Sequence, residues 1–340
     1  MTCLKCQHDA AVKAGTTNAH TQRFRCNDCG GRFIVPVTKP LGAHTLGLKQ
    51  AVKVFTLMTE GMSIRAISRV TDVHKGTILS WLVTVGAKCA RLLDERVRNI
   101  RTNYVQADEA WTFVQKKQKR LTAADPDDYG DQYVWLALDS ERKLIISHRV
   151  GKRDGLNAYE FIGDLSRRIT GRFQLTTDGL ESYLPAVEEH FGADVDFAQL
   201  VKQYAKPRTD GPDWFRPSSH VVAAIPTPIS GEPEMDRIST SHIERANLTV
   251  RMHLRRFTRL TNGFSKKLVN LQAAVAVFVA FYNFCKVHQT LRVTPAMEAG
   301  LTDHVWSIRE LLTVPIAEEQ KAALGPETKS VPLSRRGPRH

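Results

Sequence analysis

The chain has 340 residues, 42% hydrophobic and 24% charged, the balance of an ordinary globular protein with room for two or three domains, which excludes a disordered or fibrous polypeptide. Its formal net charge of +13 points to a polyanionic partner, most simply nucleic acid. The charge is uneven: residues 1–100 carry 15 Lys and Arg against 6 Asp and Glu, and residues 242–295 carry 9 against 1, so two basic regions flank a slightly acidic middle.

In chain order, Cys3, Cys6, Cys26 and Cys29 come first, as two CxxC pairs 19 residues apart. Each pair turns tightly enough for both thiolates to face one ion, and two pairs complete a tetrahedron, so residues 1–38 are expected to form a zinc ribbon around structural Zn²⁺. Phe24 and Phe33 would pack against that site, and His8 and His20 are not needed as ligands. Cys89 and Cys285 read as small core residues. A linker with two prolines follows.

Residues 44–98 then show helical periodicity with the rhythm of a helix-turn-helix domain. Ser63 would cap the second helix, Ala66, Ile67 and Val70 would pack inward, and Ile78, Trp81 and Leu82 would anchor the third helix. His74, Lys75, Thr77 and Ser80 are left on the groove-facing side as DNA contacts.

From Tyr104 the rhythm changes to three successive strands, then helix, strand, helix and strand. This predicts an α/β domain over 102–312, a mixed sheet with flanking helices. A Pro-rich insertion at about 206–238 interrupts it. Two helices follow, from about Thr240 to Phe257 and from about Ser265 to His288, and a basic tail at 317–340 reads as disordered. No apolar leader and no unbroken apolar run of membrane length is found, so the expected setting is cytoplasmic and nucleoid-associated, with no membrane partner.

Three acids lie where such a sheet displays its chemistry: Asp108 in the first strand, Asp178 at the end of "FQLTTDG", and Glu244 at the start of the helix after the insertion. Side-chain alternation sends Glu109 to the opposite face from Asp108. Three carboxylates suit Mg²⁺ or Mn²⁺, and two such ions can drive in-line displacement at phosphorus. Asp139 is the rival ligand, read here as the start of a turn. On a helical wheel Ile243, Ala246, Val250, Leu254 and Phe257 form an apolar stripe, and Glu244, Asn247, Arg251 and Arg255 share a flank that could follow one DNA strand.

The stretches "ADEAW", "TTDGLESY" and "IERANLTVRMHLRRFTRL", preceded by two CxxC pairs and a helix-turn-helix in that order, resemble the insertion sequence 1 family of bacterial DDE transposases over most of the chain. The resemblance implies a ribonuclease H-like catalytic core, with Asp108, Asp178 and Glu244 on the triad positions and Arg251 on the basic position seven residues later. It also implies a homo-oligomeric synaptic complex that cleaves the terminal inverted repeats of an insertion sequence and joins the 3′-hydroxyl to target DNA. Two alternatives stand beside it: a DNA-binding regulator with an inactive core, and a related metal-dependent nuclease without strand transfer.

Overall fold

A computed structural model describes residues 1–17, 22–34, 47–205, 221–258 and 262–315. The chain divides into two compact units, Met1–Pro40 together with the residues from Pro315 onward, and Leu41–Val314. The expected linker, His20, the first half of the Pro-rich insertion and the basic tail lie outside the described residues.

The first unit is an antiparallel sheet of β1 (Ala11–Thr16), β2 (Gln22–Cys26) and β3 (Arg32–Ile34) in sequence order. Among the described residues its buried core is Cys3, Ala11 and Cys26, with Cys6, Ala10 and Phe33 packed against them. Phe24 stacks on Phe33, with ring centroids 5.9 Å apart. So small a core stabilises little by burial.

The second unit begins with α1 (Leu48–Thr59), α2 (Ile64–Thr71) and α3 (Lys75–Arg96). Ser63 caps α2, its hydroxyl accepting from the Ala66 N–H at 3.2 Å. Asp72 ends α2 in the left-handed region, and His74 caps α3 by accepting from the Gly76 N–H. Ile67 is fully buried, but Val70 is half exposed; Val73 from the turn fills the core in its place. The α2 helix stops at Thr71, so Val70 lies on its outer side and the turn supplies the inward apolar residue.

The sheet of the second unit has the order β6-β5-β4-β7-β8-β9. Its strands are β4 (Tyr104–Val114), β5 (Gly130–Asp139), β6 (Ile145–Gly151), β7 (Phe173–Asp178), β8 (Val195–Tyr204) and β9 (Val221–Ser230). β6, β5 and β4 pair antiparallel in turn, and β4 pairs parallel with β7, as β7 does with β8. The result is a mixed α/β sheet with flanking helices, consistent with a ribonuclease H-like core. The chain from β6 to β8 runs through α4 (Gly155–Ser166) and α5 (Tyr183–Phe191), which cover one face: Trp135 packs on Phe161 and Tyr183 there. β5 reads as a near-continuous apolar run because both its faces are covered.

The described part of the Pro-rich insertion is not all loop. β9 extends the sheet antiparallel to β8. Pro226 and Pro228 are tolerated because β9 is an edge strand, where a missing N–H deprives no neighbour.

On the other face lie α6 (Ser241–His253) and α7 (Leu268–Phe284), followed by α8 (Pro295–Glu298) and α9 (Ile308–Thr313). From Ala273 to Phe284 α7 is buried on every side, and all but Asn283 of these residues are apolar or aromatic. Asn283 in α7 bonds both the N–H and the C=O of Ile145, at 3.0 and 2.9 Å. α3 is long and apolar enough to cross a membrane, but half of its apolar window is buried here. A Cβ on Gly86 of α3 would stand 2.4 Å from the Ala273 Cβ of α7, so glycine permits their close approach. The buried Lys88 ammonium donates to the Leu312 carbonyl in α9 at 3.1 Å.

α6 is shorter than expected. It stops at His253, Leu254 turns extended, and Arg255–Phe257 form a 3-10 turn. Burial of Leu254 and Phe257, and capture of the Arg256 carbonyl by the Thr112 hydroxyl, hold this bend against the sheet. Arg255 therefore does not continue the helical flank of Glu244; it is exposed on the turn.

Candidate active site

The site is built on β4, whose alternation aims Gln106, Asp108 and Thr112 toward the α6 segment. Gln106 Oε1 accepts from the N–H groups of His242 and Ile243 at 2.9 and 3.0 Å, satisfying two donors at the α6 N-terminus. Asp108 Oδ2 accepts from Asn247 Nδ2 at 2.8 Å. Asn247 is thus buried between α6 and β4 rather than lying with the exposed arginines: its place is with Ile243 and Val250, which neighbour it on the helix at i−4 and i+3.

Asp178 ends β7, one residue beyond the β4–β7 pairing, which closes at Ala107 and Thr177. Its Oδ1 accepts from the Leu180 N–H and its Oδ2 from Arg153 at 2.9 Å. Asp108 and Asp178 thus meet where two parallel strands end their pairing. A third carboxylate joins them, and it is Glu109: one ligand oxygen from each of the three lies within 4.8 Å of the others. Glu109 leaves the strand on the α5 face, as alternation requires, but its longer side chain brings the carboxylate round to the strand end. There it accepts from the Tyr183 hydroxyl and, at 3.0 Å, from Arg153.

Burial first, then the charge of Asp178, push Asp108 up to about 6 and Glu109 up to about 8. The Asn247 amide and Lys202 oppose the rise at Asp108, and Tyr183 and Arg153 oppose it at Glu109. Burial also raises the Tyr183 hydroxyl well above its usual value, so it remains a donor.

Glu244 stands in the first turn of α6, outside this three-acid group. Its Oε1 accepts from both the Lys202 ammonium of β8 and the Thr240 hydroxyl. Lys202 also acts on Asp108, so one cationic side chain serves acids on both sides. Asp139, the rival, is fully buried and used up in its turn: it accepts from the Glu141 and Arg142 N–H groups and pairs with the Arg142 guanidinium. His148 is pushed down to about 4 by burial and stays neutral, and His242 sits against Lys143.

The donor sets fit their ions. Carboxylate oxygens are the hard ligands that Mg²⁺ or Mn²⁺ takes, and one from each of the three acids lies within 4.8 Å of the others. In the first unit the four cysteine sulfurs also lie within 4.8 Å of one another. Tetrahedral zinc with bonds of ~2.3 Å needs sulfurs about 3.8 Å apart; Cys3–Cys29 and Cys6–Cys26 stand at 3.7 and 3.5 Å. Although burial raises it, backbone N–H groups of Cys6 and Lys5 hold the Cys3 thiol down at about 6, nearer the thiolate that zinc takes.

Of the residues expected to meet DNA, His74 and Lys75 are exposed at the start of α3, Thr77 is half-buried one turn on, and Ser80 is exposed. Arg251 lies in the last turn of α6. Glu109, Tyr183, Arg153 and Lys202 were not singled out by sequence; the adjacency of "DE" in "ADEAW" was the one available signal, and alternation argued against it.

No protein-family model matches the chain, and no curated protein matches it. Among solved structures it is similar to a piggyBac transposase synaptic complex with hairpin DNA, at 9% identity over 83% of this chain and 74% of that one, with a TM-score of 0.34. It is also similar to the Mos1 strand transfer complex, at 12% identity over 46% of this chain and 59% of that one, with a TM-score of 0.20. Likenesses of this size do not establish a shared fold.

Proposed function

We propose that the protein is a DNA transposase of the insertion sequence 1 kind. The observation that carries the reading is the meeting of Asp108 and Asp178 where the parallel pairing of β4 and β7 ends, with Glu109 beside them and a basic helix laid across the same β-strand. A chain that only bound DNA would have no use for carboxylates buried and crowded enough to resist ionisation.

On this reading Asp108, Asp178 and Glu244 would hold the catalytic cations, with the Glu109 carboxylate beside the first two as a further ligand. When bound, Mg²⁺ or Mn²⁺ would polarise the scissile phosphate and lower the pKa of the attacking water or 3′-hydroxyl. The protein's own groups set the stage for it. Gln106 and Asn247 fix α6 on β4, and Tyr183 and Arg153 fix the Glu109 carboxylate. Lys202 holds Glu244 until the substrate phosphates compete for its ammonium. Arg251 and Arg255 would hold DNA phosphates on either side of the α6 terminus, and His74, Lys75, Thr77 and Ser80 would read the element end. Zn²⁺ on Cys3, Cys6, Cys26 and Cys29 would order the first unit. Two protomers would bring two ends together.

The test compares binding with cleavage. DNA carrying the termini that flank this gene is incubated with wild type and Glu244→Gln in Mg²⁺. Near-normal binding with cleavage lost supports the reading; equal cleavage by both removes Glu244 from the site.

A further inference from the structure

One amide beside the acids is only half satisfied. Asn247 is 4% exposed, and its Nδ2 donates to Asp108 Oδ2 at 2.8 Å. Its Oδ1, attached to the same carbon, is out of contact with solvent and has no hydrogen-bond partner. Buried amide oxygens are rarely left this way. Turning the amide over would not help, because Oδ1 would then face the Asp108 carboxylate, acceptor against acceptor. Nor is the position slack. Gln106 grips the α6 N-terminus and Thr112 grips the Arg256 carbonyl, so three alternate residues of β4 fix the segment that carries Asn247.

An uncharged carbonyl oxygen anchored at a carboxylate, with no partner of its own, is what a hard divalent cation takes as a ligand. We propose that Asn247 Oδ1 is a ligand of the divalent cation anchored on Asp108. The inference rests on the metal-dependent reading above and adds to it a neutral oxygen from α6, three residues after Glu244. Such a ligand contributes no charge, so it shapes the coordination sphere without adding to the repulsion among the acids. It also gives the amide two roles at once, with its N–H holding Asp108 in place while its C=O takes the ion.

The test is spectroscopic and needs no DNA. Mn²⁺ is bound to full-length protein in which every asparagine carries ¹³C at the side-chain amide, and ¹³C hyperfine coupling to manganese is read by electron–nuclear double resonance. A strong coupling is expected in wild type, absent in Asn247→Ser, with Mn²⁺ affinity about tenfold lower or more in that variant. Mn²⁺ binding that disappears in Asp108→Ala but shows no amide coupling in wild type overturns the proposal and leaves the metal reading intact. Mn²⁺ binding that is absent, or indifferent to Asp108→Ala and Asp178→Ala, removes the metal reading and this proposal together. The wild-type spectrum decides even if Asn247→Ser fails to fold.

Discussion

Asp108 and Glu109 are neighbours on a β-strand, facing opposite sides of the sheet, yet their carboxylate oxygens come within 4.8 Å of each other and of Asp178. The strand end makes this possible. β7 stops at Asp178, so no backbone stands between the two faces there, and Glu109 is held at that edge by Tyr183 and Arg153. Burial, followed by the nearby Asp178 charge, is the physical cause of the resistance of Asp108 and Glu109 to ionisation.

That resistance makes stability pH-dependent with a definite sign. Glu109 has a folded value near 8 against an ordinary 4.5, so its contribution is fully present below about 4.5 and is lost as pH rises through 8. Asp108 acts likewise between 3.8 and about 6. Glu109→Gln should therefore gain stability relative to wild type at pH 9 and show no such gain at pH 4. Urea unfolding at the two pH values checks this.

A divalent cation should relieve the same repulsion. Mg²⁺ or Mn²⁺ should raise the melting temperature more at pH 9 than at pH 5, because it binds the ionised carboxylates. Binding at pH 7 should release roughly one proton, mainly from Glu109. Calorimetry in buffers of different ionisation enthalpy measures that number.

The first unit has too little core to fold on burial alone, with Cys3, Ala11 and Cys26 its buried residues. Chelation of zinc, or Cys26→Ser, should unfold residues 1–34 while leaving the thermal transition of the larger unit in place. Zinc content by mass spectrometry, with a proteolysis time course, separates the two.

Gly86 lets α3 lie against α7, and a side chain there meets Ala273. Gly86→Val should destabilise the larger unit by about 2 kcal/mol or more, a fall of roughly 5 °C in Tm. Scanning calorimetry reads it.

Much of the sheet was legible from alternation and apolar runs: strands such as β5 and β8 carry period-two or unbroken apolar patterns that local sequence declares. β9 was not, because Pro226 and Pro228 argue against a strand unless it is known to be an edge, and edge position is a property of the whole sheet. Val70 was misplaced because Val73, from the turn after α2, takes the inward position that Val70 was expected to fill. The flank of Glu244, Asn247, Arg251 and Arg255 broke in two places: Asn247 turns inward to Asp108, and a helical wheel extrapolates a straight helix, whereas Leu254 ends α6 before Arg255. Asp178 was visible because strand ends are where sheets expose acids, and Asp108 because a carboxylate inside a mostly apolar strand stands out. Glu109 was hidden because alternation describes where a side chain leaves the backbone, while the length of glutamate decides where its carboxylate arrives.

The central claim is that the acids gathered where the β4–β7 pairing ends catalyse phosphodiester cleavage and joining. The most direct measurement is incubation of labelled DNA bearing the termini that flank this gene with protein and Mg²⁺, resolving nicked and joined strands, for wild type, Asp108→Ala and Asp178→Ala. Wild type should produce 3′-hydroxyl ends and joined products, and each variant should lose both while still retarding the DNA. Variants that nick and join as well as wild type would contradict the account.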